Sequence, residues 1–162
     1  AFAHVSNVLG IVNPVEHLTR LAHDAGALVV FAGTVRAKDG GEEIAALEYD
    51  VQREMAEKSI REIEAHLEGR AGVLACRIAH RVGAVPAGEP SVYVVVRARH
   101  REEAFDAARA GIDRVKAEAP IWKEDVRTDG SRRVHAGSDT TPLVQRAPRA
   151  LSTGVFGTED DS

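Results

Sequence analysis

The sequence predicts an α+β domain, and three observations carry that prediction. Short runs rich in β-branched residues are separated by turn chemistry, two segments of helical periodicity fall between them, and a length of 162 residues suits one domain. A chain of this size buries roughly 70% of its unfolded surface, so it needs no disulfide or metal staple. Residues 1–136 are read as the domain.

Residues 27–32, Ala-Leu-Val-Val-Phe-Ala, form a continuous apolar run between Gly26 and Gly33. The run predicts a strand buried on both faces, carried on with a bend through residues 33–36. Lys38-Asp39-Gly40-Gly41 is turn chemistry, and Ile44 to Tyr49 supply a return strand. Over residues 52–67, Ala56, Ile60, Ile63 and Leu67 recur at four, three and four residues with charged residues between them, which predicts an amphipathic helix.

Residues 73–81 read as a strand, Pro86-Ala87-Gly88-Glu89-Pro90 as a turn, and residues 91–100 as a second strand. There the period of two puts Val94, Val96, Ala98 and His100 on one face, with Val95, Arg97 and Arg99 on the other. Residues 101–118 read as a helix with Phe105, Ala108, Ile112 and Val115 as its apolar stripe, ended by Pro120. Two short strands, 121–126 and 132–135, flank Asp129-Gly130. Residues 137–162 keep neither period and close on Glu159-Asp160-Asp161-Ser162, which predicts a disordered acidic tail.

The formal net charge of −4 argues against general affinity for nucleic acid, which needs clustered excess Lys and Arg. The charge is uneven, however. Residues 42–68 hold nine acids and three bases, while residues 97–133 hold ten bases and eight acids, so an anionic ligand is expected in the second half. No apolar stretch approaches the roughly 20 residues of a membrane span, and no secretory signal is visible. With Cys76 as the only cysteine, a cytoplasmic protein is expected.

The seven histidines show no HxH or HExxH spacing, and neither a Walker loop nor a GxGxxG fingerprint is present. No metal or nucleotide cofactor is indicated. On a helical wheel Lys116 falls about 20° from Phe105, beside the apolar stripe, where a lysine is either a snorkelling stem or a partly desolvated amine. Lys123 follows the chain reversal at Pro120, so both amines can face one pocket. His100 and Arg101 stand where a strand gives way to a helix N-terminus, a place that favours anions. Arg36, at the end of the first strand, joins them if the two strands are neighbours.

Four colinear motifs over about residues 8–135 resemble the large, catalytic subunit of molybdopterin synthase. They are Gly26-Ala27 with Phe31-Ala32-Gly33-Thr34-Val35-Arg36, Ile78-Ala79-His80-Arg81-Val82-Gly83, Ala98-Arg99-His100-Arg101, and Val115-Lys116-Ala117-Glu118-Ala119-Pro120-Ile121-Trp122-Lys123-Glu124. The resemblance implies an α/β hammerhead-type fold with a mixed or antiparallel sheet and flanking helices. It also implies a sulfurtransferase that makes the molybdopterin dithiolene from cyclic pyranopterin monophosphate. By the same resemblance, the expected sulfur donor is the C-terminal Gly-Gly thiocarboxylate of a small ubiquitin-like subunit, and two large subunits are expected to form the homodimer core of a heterotetramer.

By motif, Lys116 and Lys123 match the family's catalytic lysines. Arg36, His100, Arg101 and Phe31 match its substrate-binding positions. A further family arginine is unmatched because Gly137 occupies its place, with Arg132 or Arg133 as possible substitutes. No cofactor is required at this step. The alternative reading from the residues alone is a noncatalytic α+β module that binds a phosphorylated metabolite.

Overall fold

The computed structural model describes residues 25–134 and the backbone of residues 154–157. In chain order the elements are β1 (Ala27–Thr34), β2 (Lys38–Asp39), β3 (Glu42–Val51), α1 (Arg53–Glu68), β4 (Val73–Pro86), β5 (Pro90–Ala98), α2 (Arg101–Glu118), β6 (Ile121–Arg127), β7 (Arg132–Val134) and β8 (Gly154–Gly157). The strands form one sheet in the order β1-β5-β4-β3-β6-β7, with β2 on β3 and β8 on β4. Every pairing is antiparallel. The α+β expectation holds, with an antiparallel sheet and two helices.

β4 is the spine. The expected strand of residues 73–81 continues to Pro86, because Gly83, at φ 75°, lets the chain bend without ending its pairing. Before the bend β4 pairs with β5, Val73 through His80, and after it Gly83 through Pro86 pair with β3. Two parts of the sheet therefore share one strand. Both helices pack on the first part and on each other.

The expected alternation in β5 is observed. Val92, Val94, Val96 and Ala98 are buried under the helices, opposite Cys76 and Ile78 of β4, while Tyr93, Val95 and Arg97 on the other face are half-buried. α1 contributes Ala56, Ile60, Ile63 and Leu67, the residues that its spacing predicts. In α2 the buried line runs through Ala104, Ala107, Ala108, Gly111, Ile112 and Val115, and Phe105 lies outside it, 64% exposed. The expected stripe is thus rotated toward the small residues. These bring the helix axis close to the sheet: a Cβ on Gly111 would stand 3.0 Å from Val94 Cγ1.

Three further features depart from expectation. β1 is an edge strand among the described residues, paired with β5 alone, and Val30 and Phe31 are 44% and 36% exposed. A continuous apolar run does not distinguish a central strand from an edge strand, which is why burial on both faces was expected. Glu64, expected on the polar face of α1, is buried: its carboxylate accepts the Ile78 N–H at 2.6 Å, and Glu68 accepts that of Cys76 at 2.9 Å. Helix carboxylates thus occupy an edge of β4 that no strand among the described residues covers at those positions. Finally, Gly154–Gly157 pair with Ala79–Val82 of β4, inside the segment expected to be disordered; the rest of that segment lies outside the described residues.

The turn at Gly40-Gly41 joins β2 to β3 with both glycines at positive φ, 58° and 89°, the geometry of a tight hairpin. No described helix is long and apolar enough to cross a membrane.

Candidate functional site

The antiparallel register decides which of the expected residues can meet. Ala27 pairs with Ala98 and Thr34 with Pro90, so β1 ends where β5 begins. Arg36 lies two residues beyond Thr34, whereas His100 lies two residues beyond Ala98. The two strands are neighbours, as the expectation required, but their antiparallel sense places Arg36 and His100 at opposite ends of the ladder. At about 3.3 Å per residue, those ends are roughly 26 Å apart. Within one chain Arg36 does not join His100 and Arg101.

His100 is the N-cap of α2 and Arg101 its first residue. Both are exposed, and the His100 side chain makes no capping hydrogen bond. The junction of β5 with α2 lies against the start of β1 because Gly26 has no side chain: a Cβ there would collide with the Arg99 carbonyl oxygen. From this end α2 runs back over β5, passing Val94 at Gly111. Its 18 residues span about 27 Å, so Lys116, in the last turn, arrives over the opposite end of the ladder.

That end also carries Arg36 and Lys123, while Phe31 stands midway along the ladder. Phe31 pairs with Val94 and points to the helix-covered face. Arg36 is exposed and holds Asp39 Oδ1 at 2.8 Å. Lys116 is also exposed. Helix α2 stops at Glu118, Pro120 turns the chain, and β6 presents Lys123, exposed, directly across from Tyr49 of β3. Arg36, Lys116 and Lys123 thus gather toward one end of the sheet, Phe31 stands midway along the ladder, and His100 and Arg101 occupy the other end. Among the described residues no group of three His, Cys, Asp or Glu side chains could hold a metal ion.

Sequence reasoning missed the polar residues beneath Lys123. The Tyr49 hydroxyl donates to Ser91 Oγ at 3.0 Å, and its ring meets that of His80 edge-on with centroids 4.8 Å apart. Ser91, His80 and Asp125 are all buried. Burial pushes the Tyr49 phenol above its ordinary pKa, assisted by the charge of Asp125 and opposed by the bond to Ser91. Burial likewise holds the His80 imidazole below its ordinary value, although its bond to the Arg81 carbonyl favours the proton. The alternation Leu47, Tyr49 with Asp125 two residues after Lys123 was the available signal. An aspartate inside a predicted strand marks a buried partner network or an exposed edge, and the sequence alone does not separate these.

A depression at the start of α1 is lined by Asp50, Val51, Gln52, Arg53, Glu54 and Trp122. Trp122 points to the face of β6 opposite that of its neighbour Lys123.

The MoaE protein family matches residues 8–118. The molybdopterin synthase catalytic subunit of Thermoplasma volcanium is 38% identical over 125 residues, covering 76% of this chain and 91% of the relative. That of Bacillus subtilis is 33% identical, covering 77% and 80%. The crystal structure of molybdopterin synthase from Staphylococcus aureus superposes with a TM-score of 0.65 at 32% identity, covering 69% of this chain and 81% of that one. A protein–protein complex of subunits 1 and 2 of molybdopterin-converting factor from Helicobacter pylori gives a TM-score of 0.62 at 27% identity, covering 80% and 84%.

Proposed function

The chain belongs to the MoaE protein family, and from that premise we propose that it is the catalytic subunit of a molybdopterin synthase. It transfers sulfur from the C-terminal thiocarboxylate of a small ubiquitin-like carrier to cyclic pyranopterin monophosphate, forming the dithiolene. The observation that carries the site assignment is the approach of Arg36, Lys116 and Lys123 toward one end of the sheet.

Each residue type suits its role. Opening the cyclic phosphate and adding sulfur to carbon require protons to be moved, and a lysine amine can hold and release one, whereas arginine stays protonated. Two cationic side chains at one end also attract the carrier's terminal anion. Arg36 offers a planar fork to phosphate, and Phe31 offers a flat apolar wall to the pterin.

His100 and Arg101 form an anion-binding helix start at the far end of the same chain. A pocket that uses all six residues therefore takes His100 and Arg101 from a second copy, which accords with a homodimer core. A cytoplasmic setting accords with Cys76 as a buried, unpaired thiol.

The test is reconstitution with a thiocarboxylated carrier and the cyclic pterin, reading dithiolene formation. Lys116→Ala and Lys123→Ala, and equally the Arg replacements, should lose turnover by more than a hundredfold while remaining folded. Near-wild-type turnover in either alanine variant would remove its catalytic assignment. Mixing Lys123→Ala with Arg101→Ala protein should restore part of the activity if the pocket is shared between copies, and no recovery would place His100 and Arg101 outside it.

A further inference from the structure

The seam between the two parts of the sheet contains a buried polar chain with no part in the reaction as described above. Tyr49 on β3 stands across from Lys123 and donates to Ser91 Oγ at 3.0 Å; Ser91 in turn donates to the Gly33 carbonyl of β1 at 3.2 Å. Ser91 is the extra residue of a bulge, since Gly33 pairs with Val92 and Thr34 with Pro90. A bulge re-aims the side chain of its extra residue, and here Ser91 is 5% exposed between its two partners. The other side of the Tyr49 ring is braced by His80, whose Nδ1 donates to the Arg81 carbonyl at 2.6 Å.

Beyond Gly33 the main chain stays fixed. Val35 is 3% exposed, its N–H donates to the Glu89 carbonyl at 2.9 Å, and its carbonyl accepts the Gly88 N–H at 2.8 Å. Arg36 is the next residue. A continuous set of bonds therefore joins the strand pair bearing Lys123 to the strand end bearing Arg36, across the place where β4 bends. Phenylalanine at position 49 would fill the same volume, so the hydroxyl adds direction rather than bulk.

We propose that Tyr49 is a positioning residue: through Ser91 and the Gly33 carbonyl it sets the spacing between Lys123 and Arg36. The proposal rests on the catalytic reading of Lys123 given above. It assigns Tyr49 no contact with substrate. Its loss misaligns a lysine that remains present.

The experiment compares Tyr49→Phe, Ser91→Ala and Ser91→Thr in the full chain with a thiocarboxylated carrier, well below the unfolding midpoint. Tyr49→Phe and Ser91→Ala should each lower kcat about tenfold and change the KM for the cyclic pterin less than twofold. The double variant should be no worse than either single one, because both cut the same chain. Ser91→Thr, which keeps the hydroxyl, should recover most of the rate. The Lys123 resonance of ¹³C-methylated protein should move in Tyr49→Phe without carrier or pterin. Wild-type kcat with only a lowered midpoint, or an unmoved Lys123 resonance, would overturn the proposal. Lys123→Ala separates the two claims: if it is inactive while Tyr49→Phe is fully active, the positioning role alone fails. If Lys123→Ala is fully active, the catalytic reading fails, and the resonance still reports whether Tyr49 holds the lysine.

Discussion

The two parts of the sheet that share β4 are built differently. The part formed by β1, β5 and the first stretch of β4 is roofed by both helices, and its apolar cluster contains 16 buried residues among those described. Among the described residues, the part formed by β3, β6, β7 and the last stretch of β4 meets the helix-covered core only at Val51 and Ile121, and its own buried cluster is Val35, Ile44 and Val85. The difference separates a large apolar core from the buried polar groups near Lys123. Lys123 stands on the lightly packed part, beside buried polar groups rather than apolar ones, where hydrogen bonds fix direction and hydrophobic burial contributes less.

The contrast can be broken most severely in the roofed part. Ile63→Ala, at a fully buried position, should cost about 2–5 kcal/mol in denaturant unfolding. A loss below 1 kcal/mol would show that this cluster does not dominate the stability. Next comes Glu64→Ala, which strips the partner from the buried Ile78 N–H and should cost about 1–3 kcal/mol. Glu64→Gln, keeping an acceptor oxygen, should restore part of that loss.

Hydrogen exchange sharpens the comparison without mutation. Amides of β5 should exchange only through global unfolding, while those of β6 and β7 exchange through smaller openings and are protected less. Equal protection in both parts would make them one cooperative unit.

A pH effect is expected at the seam. His80 has a folded pKa below its unfolded value near 6.5, so protons bind the unfolded chain more tightly. The stability that neutral His80 contributes is complete above that value and is lost as pH falls below it toward the depressed folded value. The unfolding midpoint should therefore fall less steeply between pH 7 and pH 5 in His80→Phe than in the wild type. The smallest effect belongs to the exposed pair of Arg114 with Glu118 on α2, 2.6 Å apart, where Arg114→Ala should cost about 0.3–0.5 kcal/mol and less in high salt.

Periodicity made both helices and the inner face of β5 legible, because burial on one side leaves a repeat that can be counted. It misplaced Phe105 because alanines and a glycine carry little hydrophobic weight yet permit the closest packing. Edge and centre could not be told apart for β1, since strand order is a nonlocal property. The candidate residues were legible as motifs. Their division between two ends of the sheet was not, because it depends on β1 and β5 running antiparallel in one particular register. Tyr49 and Ser91 escaped notice for the same reason: 42 residues separate them in sequence, and only a bulge brings their oxygens together.

The bent strand has a consequence for how the protein tolerates change in length. Along β4, successive residues meet β5, then β8, then β3, so one strand acts as a common ruler for several ladders. Removing a single residue between Ala79 and Gly83 would reverse the facing of every later side chain relative to every earlier one. Val85 would turn out of its cluster, and the ladder carrying Tyr49, and through it Lys123, would slip against the rest. The Asp129-Gly130 turn between β6 and β7 governs no other pairing, so length variation is admissible there and forbidden in β4.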